Sequence, residues 1–209
     1  MTEQMSVKIA ALPSLRLTVE AHGLMAKKAL GQNFLLDQNI TDKIINLSLQ
    51  KQNKKDFSGA NVFEVGPGPG GLTRAVLAAE PKSLTVVEMD ERCIAIMNEI
   101  KEKTSDILHI INGDAMQTDF SVLAPAPRHI VSNLPYNISV PLLVGWLKNI
   151  NAYDSLTLMF QKEVAERITA PIKTKDYGRI SVLSQLQCRI DHLLDLNPCC
   201  FTPAPKIWS

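Results

Sequence analysis

The sequence predicts an α/β fold with a mainly parallel, doubly wound sheet. From residue 61 onwards, short apolar segments of strand type alternate with segments of helical periodicity. A glycine-rich turn, Gly66–Gly71, stands where the first of these strands passes to a helix. Strands that alternate with helices form parallel sheets, because each crossover helix returns the chain to the same edge. The 209 residues suffice for one such domain and at most a small appendage.

The individual elements follow from local periodicity and from turn residues. Leu12-Pro13 is expected to open a short amphipathic helix that ends at Gly23, because glycine is typical just after a helix. A loop over 27–35 precedes a helix over about 39–50. Further strands are predicted at 61–65, 84–88, 107–111, 129–132, 156–160 and 190–196. Further helices are predicted at 72–79, 93–101, 141–147, 163–168 and 180–186, with Pro141 in a first turn.

The overall charge is close to neutral, but it is unevenly distributed. The chain carries 22 Lys and Arg against 21 Asp and Glu. Residues 1–55 have eight basic against four acidic side chains, whereas residues 56–150 have seven against eleven. A basic amino-terminal segment beside an acidic central part is compatible with nucleic-acid contact at one rim, although solvated helix faces give similar segment charges.

Neither the cysteines nor the amino terminus indicates a metal site or an exported protein. Cys93, Cys188, Cys199 and Cys200 form no C-x-x-C pair and have no histidine at zinc spacing, which predicts reduced structural thiols and no metal. No apolar run approaches the roughly 18–20 residues of a membrane-spanning helix. The first twenty residues carry four charged side chains of both signs, unlike a signal or transit peptide. We therefore expect a cytoplasmic protein.

The glycine-rich turn is the first candidate site. Gly66, Gly68 and Gly71 satisfy the G-x-G-x-x-G spacing, in which glycines let the backbone approach a nucleotide closely. Glu88 ends the next predicted strand, where a carboxylate accepts two hydrogen bonds from a ribose diol. These residues alone fit a nicotinamide dinucleotide and S-adenosylmethionine (SAM) almost equally, and Glu88 also fits a plain solvated strand end.

Three further features favour SAM. Glu64 stands two residues before the first glycine, as an acidic residue often does in SAM-binding turns. Asp114 ends the third predicted strand, where its carboxylate can accept the adenine amino group, although an aspartate here also fits an ordinary turn. Pro69 and the two glycines after it leave open space for the amino-acid tail of methionine. The predicted cofactor is therefore SAM.

Asn133-Leu134-Pro135-Tyr136 is the most informative motif of the chain. It follows the predicted strand 129–132, and ligands bind at the carboxyl ends of strands in open parallel sheets. An Asn-X-Pro-aromatic sequence is typical of enzymes that methylate the exocyclic amine of a nucleobase. The Asn133 amide oxygen and the Leu134 carbonyl can accept the two N–H bonds of that amine. Pro135 stiffens the loop and Tyr136 can stack on the base, although an ordinary turn is the alternative for these four residues alone.

Five blocks, in this order, resemble the ribosomal RNA adenine N6,N6-dimethyltransferases, and they resemble the bacterial small-subunit enzymes most. The blocks are 31–35, 64–70, 133–139, 161–167 and 201–206. The resemblance implies a class I SAM-dependent methyltransferase domain with a Rossmann-like sheet. It further implies an enzyme that adds four methyl groups to two adjacent adenosines near the 3′ end of small-subunit (16S) rRNA. The partner would be an immature small ribosomal subunit.

The resemblance also implies roles for individual residues. Cofactor contacts fall on Asn33, Leu35, Gly66, Gly68, Glu88, Asp114 and Asn133. The catalytic residues implied are Asn133, Leu134, Pro135, Tyr136 and Phe201. Phe201 would stack on the target adenine opposite Tyr136, with plain core packing as its alternative. Weaker candidates for phosphate contact, which also fit solvated surface charge, are Lys27, Lys28, Arg167, Lys173, Lys175, Arg179 and Lys206.

The family continues past the Pro205-Lys206 region with a last antiparallel strand and a small helical domain, which we expect to be absent from a chain that stops at Ser209. We therefore divide the sequence into an amino-terminal helix with a basic, cofactor-closing loop (1–36) and a methyltransferase domain (37–209) that stops before its last strand. The protein is expected to be a monomer without membrane contact.

Three other functions remain open at this point. A large-subunit (23S) rRNA adenine methyltransferase of the macrolide-resistance type shares the catalytic logic, but those chains tend to be strongly basic and usually carry Ser where Gly31 stands. A non-catalytic rRNA-binding assembly factor, or an organellar transcription factor, would keep the fold without the reaction. An NAD-dependent oxidoreductase leaves the motif at Asn133–Tyr136 unexplained.

Overall fold

The structure, a computed structural model, describes residues 2–24, 33–205 and 208. The strands are β1 (Phe34–Leu35), β2 (Asn61–Val65), β3 (Ser83–Glu88), β4 (Leu108–Asn112), β5 (Arg128–Asn133), β6 (Ser155–Met159) and β7 (Phe201–Thr202). The helices are α1 (Thr2–Ala10), α2 (Leu15–Ala21), α3 (Gln38–Lys51), α4 (Gly71–Ala78), α5 (Glu91–Thr104), α6 (Tyr136–Lys148), α7 (Lys162–Thr169) and α8 (Arg179–Gln187). Within the described ranges, no helix is long and apolar enough to cross a membrane.

Five parallel strands in the order β4-β3-β2-β5-β6 form the main sheet. The predicted fold class is confirmed. Because all five strands run in one direction, their carboxyl ends lie at one edge of the sheet. The chain order reverses at β2, since β3 and β4 lie on one side of it and β5 and β6 on the other. Ligands bind at such a switch point, beyond the carboxyl ends of the strands.

The central strand β2 is buried along its whole length, and its sequence is apolar apart from Asn61 and Glu64. Alternate side chains of a strand point to opposite faces of a sheet. Val62 accordingly packs in the apolar cluster formed with α3, α4 and α5. Phe63 and Val65 pack in a second cluster, which contains Trp146 of α6. Glu64 therefore shares the face of α4 and α5.

The amino-terminal segment forms two helices, where the sequence predicted one helix from Leu12 to Gly23. The prediction is wrong in extent because Pro13 disfavours a helical conformation for the residue before it. Ser14 then caps α2, since its side chain accepts a hydrogen bond from the backbone N–H of Leu17. Arg74 of α4 is buried beneath this segment and donates to the Pro13 carbonyl at 2.6 Å. The segment is thus fastened to the helix that follows the glycine turn.

Two further predictions are wrong. Helix α6 begins at Tyr136 and contains Pro141 in its interior, whereas Pro141 was expected in the first turn. Because Pro141 has no backbone N–H, the helix lacks one hydrogen-bond donor at this position. Buried leucines in α6 pack against the core and keep the helix in place. The predicted strand 190–196 is an irregular segment. Its Leu196 side chain is nevertheless buried in the core. The apolar pattern therefore predicted burial correctly, whereas the predicted strand conformation is wrong.

The pair β1 and β7 was not predicted as strands. Both are two residues long, and they pair antiparallel with Leu35 opposite Phe201. Strands of this length carry no periodicity that a sequence could reveal. Their position matters because β1 carries residues 34 and 35 across the glycine turn.

Candidate active site

One cleft of about 690 Å³ opens at the carboxyl ends of β2, β3, β4 and β5. Its walls come mainly from residues 33–35, 64–69, 87–92, 113–116 and 133–138. All seven residues predicted to contact a cofactor lie in these walls: Asn33, Leu35, Gly66, Gly68, Glu88, Asp114 and Asn133. Leu134, Pro135 and Tyr136 of the predicted methyl-transfer motif line the same space. The structure thus brings the two predicted sites together.

The glycine turn forms the floor of the cleft and needs glycine for two reasons. Gly66 and Gly68 both have positive φ angles, of 65° and 55°, which side chains with a Cβ rarely adopt. A Cβ on Gly68 would lie 3.0 Å from two ring carbons of Phe34. A Cβ on Gly66 would lie 3.5 Å from Pro135. The turn is therefore covered by β1 on one side and faces the Asn133–Tyr136 loop on the other.

Glu88 is held in a fixed orientation at the end of β3. Its Oε1 accepts hydrogen bonds from the backbone N–H groups of Met89, at 2.7 Å, and Asp90, at 2.9 Å. Burial raises the pKa of Glu88, and these two backbone donors act against that rise. An oriented carboxylate at this strand end is suited to accept hydrogen bonds from a vicinal diol.

Asp90 and Arg92 are cleft residues that sequence reasoning missed. Arg92 donates to both carboxylate oxygens of Asp90, from Nε at 3.0 Å and from Nη2 at 2.6 Å. Its Nη1 lies 3.5 Å from the carbonyl oxygen of Gly23, at the end of the amino-terminal segment. The signal that could have revealed them is the Glu88-x-Asp90-x-Arg92 spacing directly after a buried strand. The pair connects the cleft wall to the amino-terminal segment.

Asp114 follows β4 and lines the cleft, as predicted. Its Oδ1 accepts a hydrogen bond from the backbone N–H of Met116 at 2.8 Å, which is the turn-forming role considered as its alternative. Asp114 therefore combines a capping function with a position in the wall, and acceptance of an adenine amino group remains a prediction. Met89 and Met116, both unusually exposed for methionine, also line the wall and were not singled out from the sequence.

The Asn133–Tyr136 loop joins β5 to α6. Ser132 fixes the strand end by donating from its hydroxyl to the Val65 carbonyl at 2.6 Å. The Asn133 side chain donates from Nδ2 to the Asn33 carbonyl at 3.3 Å, which orients its amide. Leu134 is buried in the second apolar cluster, and Pro135 occupies the position before the first turn of α6. The hydrogen bonds of Ser132 and Asn133, together with the burial of Leu134, hold this loop at the cleft.

Glu64 is almost completely buried, with 1% of its surface exposed, and still lines the cleft. Its Oε2 accepts a hydrogen bond from the Thr73 hydroxyl at 2.7 Å. Burial raises the pKa of Glu64 to about 8, the Thr73 hydroxyl acts against this rise, and the nearby charge of Glu88 adds to it. The cleft wall therefore contains a carboxylic acid whose neutral form is favoured by burial.

The remaining predicted residues that the structure describes lie away from the cleft walls. Phe201 is 3% exposed and packs in the apolar cluster that contains Phe34 and Leu35. That position is the core-packing alternative, and stacking on a base remains a prediction. Arg167, Lys173, Lys175 and Arg179 are exposed on α7, α8 and the loop between them. Lys27, Lys28 and Lys206 lie outside the described residues.

Neither metal ligation nor a disulfide shows in the described part of the chain. Cys93 is buried, Cys188 and Cys200 are half-buried, and Cys199 is exposed, and all four are free thiols. No group of three or more His, Cys, Asp or Glu side chains that could hold a metal ion occurs among the described residues.

The chain is similar in sequence to the proteins of one family. The family model for ribosomal RNA adenine dimethylase matches residues 23–209. The ribosomal RNA small subunit methyltransferase A of Rhodospirillum rubrum is 45% identical over 198 residues, which are 95% of this chain and 67% of that protein. The corresponding protein of Gluconobacter oxydans is 48% identical over 95% of this chain and 64% of its own length.

The fold has solved relatives as well. A dimethyladenosine transferase from Plasmodium falciparum superposes with a TM-score of 0.71 at 30% identity, over 82% of this chain and 59% of that one. The chain spans about two thirds of the length of the curated relatives that it matches. With a matching family model over most of its length, the chain belongs to the ribosomal RNA adenine dimethylase family.

Proposed function

We propose that this chain is a SAM-dependent methyltransferase that dimethylates the N6 amines of two adjacent adenosines near the 3′ end of small-subunit rRNA. The observation that carries the proposal is the meeting of the glycine turn, Glu88 and the Asn133–Tyr136 loop in one cleft. The names of the bacterial relatives, ribosomal RNA small subunit methyltransferase A, support the choice of RNA.

The cleft suits SAM in size and charge. Its volume of about 690 Å³ falls within the roughly 300–1,000 Å³ typical of small-molecule sites. Four carboxylic acids line the wall, from Glu64, Glu88, Glu91 and Asp114, together with the Asp90–Arg92 pair. A cofactor that carries a sulfonium and an ammonium is favoured in such surroundings. When bound, SAM supplies an electrophilic methyl group.

The residues of the loop act on the nitrogen that receives the methyl group. An aryl amine is a poor nucleophile because its lone pair is delocalised into the ring. The Asn133 amide is oriented by its donation to Asn33, so its oxygen can accept one N–H of the amine, and the Leu134 carbonyl can accept the other. Both bonds raise the electron density on nitrogen and favour its pyramidal form. Catalysis then relies on positioning and electrostatics, with no strong base required.

Tyr136 opens α6 and lies in the cleft wall, where it can stack on the adenine. Stacking of a base on an aromatic ring contributes about 1–3 kcal/mol. The partner proposed is an immature small ribosomal subunit, bound by a monomer in the cytoplasm. The exposed cations at Arg167, Lys173, Lys175 and Arg179 would contact phosphates.

The second candidate is methylation of large-subunit rRNA. The solved 23S rRNA methyltransferase ErmE superposes with a TM-score of 0.61 at 25% identity, over 84% of this chain and 66% of that one. The higher identity to small-subunit enzymes and the near-neutral charge favour the first candidate. A non-catalytic rRNA-binding factor is the third, and the complete Asn133–Tyr136 motif disfavours it.

The test is incubation of the protein and SAM with undermethylated small subunits and, in parallel, with large-subunit RNA, followed by mass spectrometry of nucleosides. We expect N6,N6-dimethyladenosine in the small-subunit RNA alone. Product in the large-subunit RNA would support the resistance type of enzyme. Absence of product from both, with RNA binding retained, would favour the non-catalytic factor.

A further inference from the structure

We propose that Glu64 makes the cleft selective for the charged cofactor, because it binds SAM as a carboxylate and the product S-adenosylhomocysteine as a neutral acid. This inference rests on the proposed use of SAM. The cofactor loses one positive charge when its sulfonium becomes a thioether. An acid in the cleft wall could match that change in charge if it releases one proton when SAM binds and regains it when the thioether forms.

The position of Glu64 meets the first requirement, contact with the ligand space without access to bulk water. Glu64 lies at the carboxyl end of β2, one residue before the strand passes into the glycine turn. Its side chain lines the cleft although only 1% of the residue surface is exposed. A charge placed there is screened little by solvent.

The surroundings of Glu64 meet the second requirement, which is that no cation from the described part of the chain pairs with its carboxyl group. From α4 it receives the Thr73 hydroxyl, and that hydroxyl also lies 3.7 Å from the Met97 sulfur of α5. From β3 it faces the carboxyl group of Glu88. No salt bridge to Glu64 occurs within the described ranges. Arg92, a basic side chain of the cleft wall, is bound to both oxygens of Asp90.

The ionisation of Glu64 therefore depends on what the cleft contains. Burial holds the pKa of Glu64 at about 8 in the free protein, so the acid is mostly protonated at pH 7. A cation beside a carboxyl group favours its ionised form. The inference requires that the sulfonium of SAM lie beside Glu64, where its charge would drive the proton from Glu64 to the buffer. Both ligands carry the same ammonium group, so the two differ only in the sulfur. Replacement of the sulfonium by the neutral thioether would let the proton return, and the attraction between Glu64 and the sulfur would end.

Isothermal titration calorimetry counts these protons directly. Heats of binding at pH 7 are measured in phosphate and in Tris, whose ionisation enthalpies differ, with SAM and with S-adenosylhomocysteine as separate ligands. For the unaltered protein we expect release of roughly one proton with SAM and roughly none with S-adenosylhomocysteine. Glu64→Gln keeps the size and the acceptor for Thr73 but cannot ionise. It should release no proton and lose on the order of tenfold of its preference for SAM.

A matched control is Glu102→Gln, which removes an exposed carboxyl group from the last turn of α5 and should behave like the unaltered protein. Two results would refute the role of Glu64 but not the proposed cofactor. One is SAM binding without proton release, and the other is proton release that persists in Glu64→Gln. Failure of both ligands to bind overturns the proposed cofactor instead. If Glu64→Gln does not fold, the unaltered protein decides. Its preference for SAM should rise more than about tenfold from pH 6 to pH 8, and a constant preference refutes the role of Glu64.

Discussion

Gly70→Ala should destabilise the fold by about 2–5 kcal/mol. Gly70 precedes α4 with φ at 88°, and a residue with a Cβ loses about 1–2 kcal/mol in this left-handed region. The added Cβ would also lie 2.7 Å from Cδ1 of Ile100 and 2.9 Å from Cε of Met97. Both side chains are buried, so relief of the overlap requires repacking, which costs about 1–3 kcal/mol.

Two other glycines separate these contributions. Gly59 has φ at 77° but open space around the added Cβ, so Gly59→Ala should cost only about 1–2 kcal/mol. Gly145 lies inside α6 with no heavy atom within 4 Å of the added Cβ. Gly145→Ala should stabilise by about 0.5–1 kcal/mol, because alanine loses less backbone entropy than glycine in a helix.

The assay is urea unfolding of the three variants and the unaltered protein, followed by circular dichroism, with the free energy of unfolding extrapolated to water. The expected order of stability is Gly145→Ala, unaltered protein, Gly59→Ala and Gly70→Ala. A Gly70→Ala variant no less stable than Gly59→Ala would refute the packing of Ile100 and Met97 against the glycine turn. It would thereby remove the physical reason given for glycine at this position.

The remaining predictions concern catalysis and pH. Asn133→Ala should lower methyl transfer at least about 10²-fold with an unchanged circular dichroism spectrum, since it removes a positioned acceptor; near-normal single-turnover rates would exclude Asn133 from the mechanism. His129 is buried between Lys54 and Ser155, and burial lowers its pKa from 6.5 to about 4. The unfolded chain then binds the proton more readily, so stability is complete above pH 6.5 and falls towards pH 4, by at most about 3 kcal/mol. His129→Gln should flatten that part of the stability profile measured by urea unfolding, and an unchanged slope would contradict the assignment.

The parallel sheet could be predicted because its three inner strands, β2, β3 and β5, are largely buried and therefore mainly apolar. The cleft could be predicted for a related reason. Glu88 and Asn133 end strands of that sheet, whereas Gly66 and Asp114 closely follow one. Parallel strands end at a common edge, which brings these residues together. Local sequence patterns were therefore enough to predict the fold wherever strands and helices alternate regularly along the chain.

The segment 190–196 shows where local patterns fail. Its leucines are apolar, and Leu196 does pack in the core, but a strand also requires a neighbour for its backbone hydrogen bonds. Instead, Asp191 is paired with Lys51, and Asp195 with Lys162. Tertiary charge pairs of this kind cannot be read from spacing in one sequence.

Phe201 and Glu64 show the same limit at the site. The order of motifs indicated Phe201, but only the pairing of β7 with β1 places it in the core beside Leu35. Glu64 was recognised as an acid near the first glycine, whereas its burial and its hydrogen bond with Thr73 depend on the packing of α4 and α5 over it. Sequence reasoning therefore identified the members of the site better than their surroundings.

The central claim is that the cleft transfers methyl groups from SAM to the N6 amines of adenosines in small-subunit rRNA. Mass spectrometry of the 3′-terminal RNA fragment, after incubation of undermethylated small subunits with SAM and the protein, tests it most directly. We predict two adjacent N6,N6-dimethyladenosines with the unaltered protein and unmodified RNA with Asn133→Ala. Equal methylation by both proteins, or methyl groups on other atoms, would contradict the account.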